Sequence, residues 1–252
     1  MTNDECRMAC EPVRMIDSPF VICDSSLNEW LLWQLADSAF PTGGFAHSAG
    51  LEAAWQYGEV RNRGELISFV QAGLHQLGRA VLPFVMAAHD EPARVEEFDE
   101  LCDAFTTNQV ANRASRAQGK AFLSAVQRIF AERELTADGH GAEPLKWTEI
   151  RAPFAHVPVI FGTCLRRLNV PRETAARLFF FNHLRGAVAA AVRLNIVGPM
   201  DAQAIQHQLS PVAEAVLKAC ASLTLEDIAQ TSPLLELWQG GQDRLYSRLF
   251  QS

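Results

Sequence analysis

Apolar side chains recur every three or four residues along most of this chain and seldom alternate one-for-one with polar neighbours. That spacing predicts amphipathic helices near residues 27–38, 44–57, 63–77, 79–89, 93–106, 109–134, 155–168, 172–194, 201–208, 211–221 and 232–248. Valine and isoleucine are rarely set in alternation, so the expected fold class is all-α: a single globular helical bundle over residues 26–252. Residues 1–25 hold two prolines, scattered acids and no helical period, and are expected to form a disordered, mobile N-terminal tail.

Two segments suggest how the core is packed. Val110, Ala114, Ala117, Ala121, Ala125 and Ile129 form a stripe of mostly small side chains that lets a neighbouring helix approach closely, and Arg113, Arg116 and Lys120 lie on the opposite side. The segment from Arg172 to Leu194 starts after Pro171, carries Glu173 at the positive end of its dipole, and is apolar on nearly every side beyond Leu178. It is therefore expected at the centre of the bundle. Gly198-Pro199 follows its end.

The sharpest local feature is the break between the first two predicted helices. Pro41 lacks an N–H and disfavours helix before it, and Gly43-Gly44 opens the turn sterically. Thr42 is placed to cap the helix that Phe45, His47, Ser48, Gly50, Leu51 and Glu52 begin, and a branched residue at Gly44 is expected to disrupt the turn. The ordered run Gln-Leu-Ala, Phe-Pro-x-Gly-Gly-Phe, His-Ser-x-Gly-Leu-Glu resembles the N-terminal signature of the UreF family of urease accessory proteins. Four further segments resemble that family in the same order. They are Arg113-x-Ser115-x-x-x-Gly119, His156-x-Pro158-x-x-Phe161-Gly162, Val192-Arg193-Leu194 with Gly198-Pro199, and the ending Leu245 to Ser252. The stretch Gln239-Gly240-Gly241-Gln242 departs from the His-Glu of many relatives, and Thr136 to Lys146 reads as an insertion.

Composition narrows the partners. A net charge of −7 with only 22 scattered basic residues disfavours nucleic acid, whose phosphates need concentrated Lys and Arg. The six cysteines form no dense disulfide framework, and the N-terminus lacks the pattern of a secretory signal, so a reducing cytoplasm is expected. The most apolar window, Leu178 to Leu194, is interrupted by Asn182, His183, Arg185 and Arg193 and is shorter than the ~20 residues a membrane span needs.

Strong catalytic signals are missing. No Gly-x-x-x-x-Gly-Lys-Ser/Thr, Gly-x-Ser-x-Gly, His-Glu-x-x-His or Cys-x-x-Cys occurs, so the chain is not expected to be an enzyme or to hold nucleotide or metal tightly. His47, Ser48 and Glu52 are the best catalytic trio available, but adjacent helical residues point about 100° apart, and Ser48 and Glu52 read better as groups that satisfy backbone or partner atoms. Cys6 with Cys10, His140 with Glu143, His156 and His183 are weak metal candidates, and a hydrogen-bonded core histidine is the commoner outcome for the last two. The row Arg113, Arg116, Lys120 either pairs with acids such as Glu97 and Asp99 or docks an acidic partner. At the C-terminus, Tyr246, Arg248, Leu249 and Phe250 have the composition of interface anchors, and they are expected to insert into a partner or a second copy of this chain, in preference to folding back, while adding little to fold stability.

The resemblance implies a scaffold in urease maturation. Such proteins dimerise, bind a UreD/UreH-type accessory protein, recruit the UreG-type GTPase, and help deliver Ni²⁺ to the urease apoprotein, with GTP held by the GTPase. The partner-binding positions it suggests are Pro41, Gly43, Gly44, Phe45, His47, Ser48, Gly50, Leu51, Glu52, Arg113, Arg193, Tyr246, Arg248, Leu249 and Phe250. Two alternatives stand beside it: a regulator that supplies Arg193 or Arg248 to a GTPase, and a small-molecule enzyme using His47 and Glu52.

Overall fold

The computed structural model describes residues 24–130, Trp147 and 150–252. The expectations for residues 1–23, including the Cys6-Cys10 pair, and for the 136–146 insertion with His140 and Glu143 lie outside the described residues. Among the described residues the chain is all-α, without strands. The helices are α1 (Asp24–Ala36), α2 (Leu51–Gln56), α3 (Arg63–Gln76), α4 (Leu82–Asp90), α5 (Val95–Phe105), α6 (Gln109–Ile129), α7 (Val157–Arg167), α8 (Arg172–Arg193), α9 (Pro199–Cys220) and α10 (Pro233–Gly241).

The centre of the bundle is α7 and not α8, as the apolar run had suggested. Every residue of α7 from Pro158 to Leu165 is buried, and the helix packs against α4, α5, α6 and α8. On α8 one side faces solvent, with Phe181 39% exposed, while Leu178, Leu184, Val188 and Ala191 pack inward. Alanine is small enough for either environment, so an Ala-rich helix looks apolar all round without being enclosed.

The close approach that α6 makes is real, but on a rotated face. Val110, Ala114, Gly119, Phe122, Ala125 and Val126 are buried, whereas Ala117 and Ile129 are exposed. A Cβ at Gly119 would lie 1.9 Å from the Ala155 carbonyl oxygen, and one at Gly162 of α7 would lie 2.2 Å from that of Val85. These two glycines let backbone meet backbone at the core. Phe122 stacks on Phe161 with ring centroids 5.3 Å apart.

The start of α7 is fixed by a buried carboxylate. Asp99 of α5 accepts N–H bonds from Phe154, Ala155 and His156 at 2.7, 2.8 and 2.7 Å, satisfying three successive donors of the segment that leads into the helix. His156 itself is fully buried between Ser115 Oγ at 3.1 Å and Asp103 Oδ1 at 3.0 Å, a satisfied core histidine. Asp99 is therefore not the partner of the α6 arginines. Glu97 pairs with Arg94, Arg116 approaches Asp103 at 3.9 Å, and Arg113 turns to Asp243.

Several helix boundaries differ from the periodicity reading. The helices expected at 63–77 and 79–89 run on through a π-turn at Leu77–Val81. Those expected at 201–208 and 211–221 are the single α9, which carries Pro211 internally because Leu209, Ala213, Val216 and Leu217 hold it to the core across the missing hydrogen bond. The last predicted helix stops at Gly241. A short 3₁₀ turn, Gln242–Arg244, then leads into an extended tail.

Candidate functional site

The break after α1 builds a loop with three left-handed positions. Thr42 Oγ1 accepts the Gly44 N–H at 3.3 Å, Gly43 takes φ 72°, and a 3₁₀ turn covers Gly44–Ala46. His47 is extended, and Ala49 (φ 52°) and Gly50 (φ 88°) turn the chain again before α2. The helix expected over 44–57 is thus two short pieces separated by an extended stretch. At Gly50 the α10 backbone passes so near that a Cβ would meet Gln239 N at 3.0 Å.

The extended stretch receives the C-terminal tail. Gln251 N donates to Ala46 O at 2.8 Å, Ser48 N donates to Ser252 O at 2.5 Å, and Ser48 Oγ donates to the same oxygen at 3.1 Å. Glu52, 2% exposed, accepts from Leu249 N at 2.5 Å, Phe250 N at 3.0 Å and Gln242 Nε2 at 2.6 Å. A carboxylate removed from water needs several donors, and here two come from the tail's own backbone. Gln56 Nε2 holds Ser247 O at 2.9 Å, and His47 Nδ1 lies 2.6 Å from Ser252 Oγ.

One arginine ties the loop to the tail. The Arg193 guanidinium, at the end of α8, sits 3.7 Å from the Phe45 ring centroid and 4.1 Å from that of Phe250, and it donates to Phe45 O. Asp243 accepts from Arg113 at 2.8 Å and from Arg248 at 3.0 Å. Both arginines proposed as donors to a GTPase are thus engaged within the chain.

The structure therefore brings nearly every sequence-nominated residue to one place and divides them by role. Ser48, Gly50, Leu51, Glu52 and Phe250 are buried and shape the seat, whereas Phe45, Tyr246 and Leu249 stand 72%, 105% and 52% exposed above it. The folded-back tail corrects the expectation that Phe250 inserts into a partner, because its ring is 3% exposed inside this chain. Sequence reasoning missed Gln242 and Asp243. The only signal was the departure noted over Gln239 to Gln242, a stretch that ends on the buried Gln242.

Chemically the site is made of groups that hold the tail. His47 and Ser48 point to the tail, and the Ser48 hydroxyl is spent on Ser252 O. Among the described residues no group of three His, Cys, Asp or Glu could hold a metal, and no helix is long and apolar enough to cross a membrane. Cys102 and Cys164 are buried thiols, and burial pushes that of Cys102 up to about 12.

Substitutions at the two loop glycines should behave differently. Gly43 has open space but positive φ, so Gly43→Ala should cost about 1 kcal/mol in a urea titration. The Gly44 position has no positive φ, and a Cβ there meets Thr42 Oγ1 at an ordinary 3.4 Å, so Gly44→Ala should match the wild type. Of the glycine pair only Gly43 is left-handed, so the disruption expected of a branched residue at Gly44 has no backbone strain behind it.

Three histidines make the fold acid-sensitive. Burial lowers His47, with Arg113 adding to the effect, burial lowers His89, and burial takes His183 down to about 4 from an ordinary 6.5. The unfolded chain takes up these protons first, so their stabilisation is complete above pH 6.5 and is lost as pH falls toward about 4. The thermal midpoint should decline across that interval. A flat midpoint there would mean that the imidazoles are solvated.

Fold and site together define an all-helical protein, among its described residues, in which a loop and a strapped-on tail form one continuous surface. The chain belongs to the UreF family, whose model matches residues 60–210. It is 38% identical to urease accessory protein F of rice (Oryza sativa subsp. indica) over 254 residues, covering 98% of this chain and 91% of the relative. It is also 38% identical to urease accessory protein F of Arabidopsis thaliana over 234 residues, with 90% and 94% covered. A urease accessory protein UreF-like chain of Schizosaccharomyces pombe is 29% identical, with 91% and 99% covered.

Proposed function

We propose that this chain is a non-catalytic scaffold for urease maturation, acting as a homodimer in the cytoplasm with a UreD/UreH-type protein, a UreG-type GTPase and the urease apoprotein. Ni²⁺ is cargo of the assembly and GTP belongs to the GTPase. The observation that carries this reading is the seated tail: Phe45, Tyr246 and Leu249 stand exposed on backbone pinned by Glu52 and Arg193, and exposed rings on a rigid support are what an interface needs. Arg113 and Arg248, sharing the single acid Asp243, add positive charge beside those rings on an otherwise acidic protein. A scaffold without its own chemistry acts by binding one state of its partner better than another.

The test is co-expression with candidate accessory proteins, followed by the mass of the complex and urease activity. Tyr246→Ala should leave the isolated chain folded while reducing capture of the UreD/UreH-type protein and urease activation. Undiminished capture and activation would overturn the role of this surface. The GTPase rate with and without the chain separates the scaffold from a regulator that supplies an arginine: Arg193 and Arg248 are both engaged internally, so no acceleration by either is expected.

A further inference from the structure

The tail carries two serines in opposite situations. Ser252 is buried and its hydroxyl meets His47 Nδ1 at 2.6 Å, so it is sealed in the seat. Ser247 is exposed, and it is its carbonyl, not its hydroxyl, that Gln56 holds. The chain before it has left helix: Leu245 takes φ −67° and ψ 135°, the extended form in which an enzyme groove accepts a peptide. Arginines flank it. Arg244 stands three residues before it and Arg248 one after, both exposed, and Arg113 shares Asp243 with Arg248. Among the described residues this is the one place where an arginine precedes a serine or threonine by three positions.

We propose that Ser247 is a phosphorylation site for a protein kinase that selects basic residues ahead of its serine, and that the phosphate closes the partner-binding surface. The Ser247 Oγ attacks the γ-phosphorus of ATP, the bond from that phosphorus to the β,γ-bridging oxygen breaks, ADP leaves, and the hydroxyl proton passes to the kinase's carboxylate base. The product carries about −1.5 to −2 charges at pH 7, set between the exposed Tyr246 and Leu249. Its oxygens compete with the single carboxylate of Asp243 for Arg248 and Arg113, since phosphate takes a guanidinium in the same forked manner. The positive charge offered to a partner then becomes negative. The seat itself is spared, because Glu52 and Ser48 hold main chain at Leu249, Phe250 and Ser252, beyond the modified residue. The site is independent of the function proposed above, and its effect on capture rests on that reading.

The full-length chain is incubated with ATP and the catalytic subunit of cyclic AMP-dependent protein kinase, which reads arginine at that spacing. A single phosphoryl group is expected, placed at Ser247 by fragment masses, absent in Ser247→Ala and added about tenfold more slowly to Arg244→Ala. Glu52→Ala, whose strap is loose, should accept it several-fold faster than the wild type, and Phe250→Ala replaces that variant if it does not fold. No incorporation on either the wild type or the loosened chain, or incorporation elsewhere, overturns the site. Phosphorus NMR then reads the arginines without any partner: the second proton of the phosphate should leave below its ordinary pKa of about 6, and return toward it in Arg248→Ala. An unshifted phosphate overturns its capture of the guanidiniums. Finally, the phosphorylated chain should take up the UreD/UreH-type protein several-fold less than the unmodified one, with hydrogen exchange at Leu249 and Phe250 unchanged. Equal uptake overturns the closing of the surface. No uptake even by the unmodified chain counts against the scaffold reading, and the kinase and NMR results then decide the phosphorylation site by themselves.

Discussion

Glu52→Ala releases the tail while the helical core stays folded. The lost carboxylate had accepted three hydrogen bonds, two from Leu249 and Phe250 and one from Gln242. The two tail donors can swing out to water, so the cost is limited to the docking of the tail, about 2 kcal/mol, and the thermal midpoint should fall by only a few degrees. Binding should suffer far more. With the strap loose, Phe250 leaves the Arg193 stack and the exposed Tyr246 and Leu249 lose their fixed position, so capture of partners should fall by about tenfold or more. Hydrogen exchange at Leu249 and Phe250 reports the docking directly. Retained protection at those amides would show that Glu52 does not hold the tail. Deleting Leu245 to Ser252 should be more damaging than the sequence suggested, because it removes the buried Phe250 and leaves Glu52 without two of its donors.

Asp99→Ala has the opposite character, a large loss of stability. The N–H groups of Phe154, Ala155 and His156 that it satisfies belong to backbone packed against Gly119, and they cannot turn to water. Each buried donor left without an acceptor costs about 1–3 kcal/mol, so a total near 4 kcal/mol and a midpoint lower by about 10 °C are expected. Asp99→Asn keeps one acceptor oxygen and should recover part of the loss. Equal stability of Asp99→Ala and wild type in urea would mean that another acceptor closes the start of α7.

The contrast between these carboxylates bears on what could be read in advance. Glu52 lies four residues after Ser48 at a visible helix start, and its structural use was legible from that spacing. Asp99 looked like one acid among several on an amphipathic helix, named with Glu97 only as an example of what the α6 arginines could pair with. Nothing local distinguishes an acid that faces solvent from one that faces the backbone of a segment 55 residues away.

The sequence by itself determined the helical class, the position of the Pro41-Gly44 break, most helix spans and the UreF resemblance. Each depends on interactions within a turn or two of chain: side-chain period, the missing proline N–H and the freedom of glycine. Only the tertiary structure decided that α7 is central, that Pro211 lies within a continuous helix, and that the tail folds back. These outcomes rest on contacts between distant residues, such as His47 with Ser252, 205 positions apart. Small side chains on α6 and α8 fit core and surface alike, so their periodicity could not say which face is enclosed. The tail anchors, aromatic and cationic, suit a partner's pocket or the chain's own; the Glu52 carboxylate and the Arg193 stack are what bring them home.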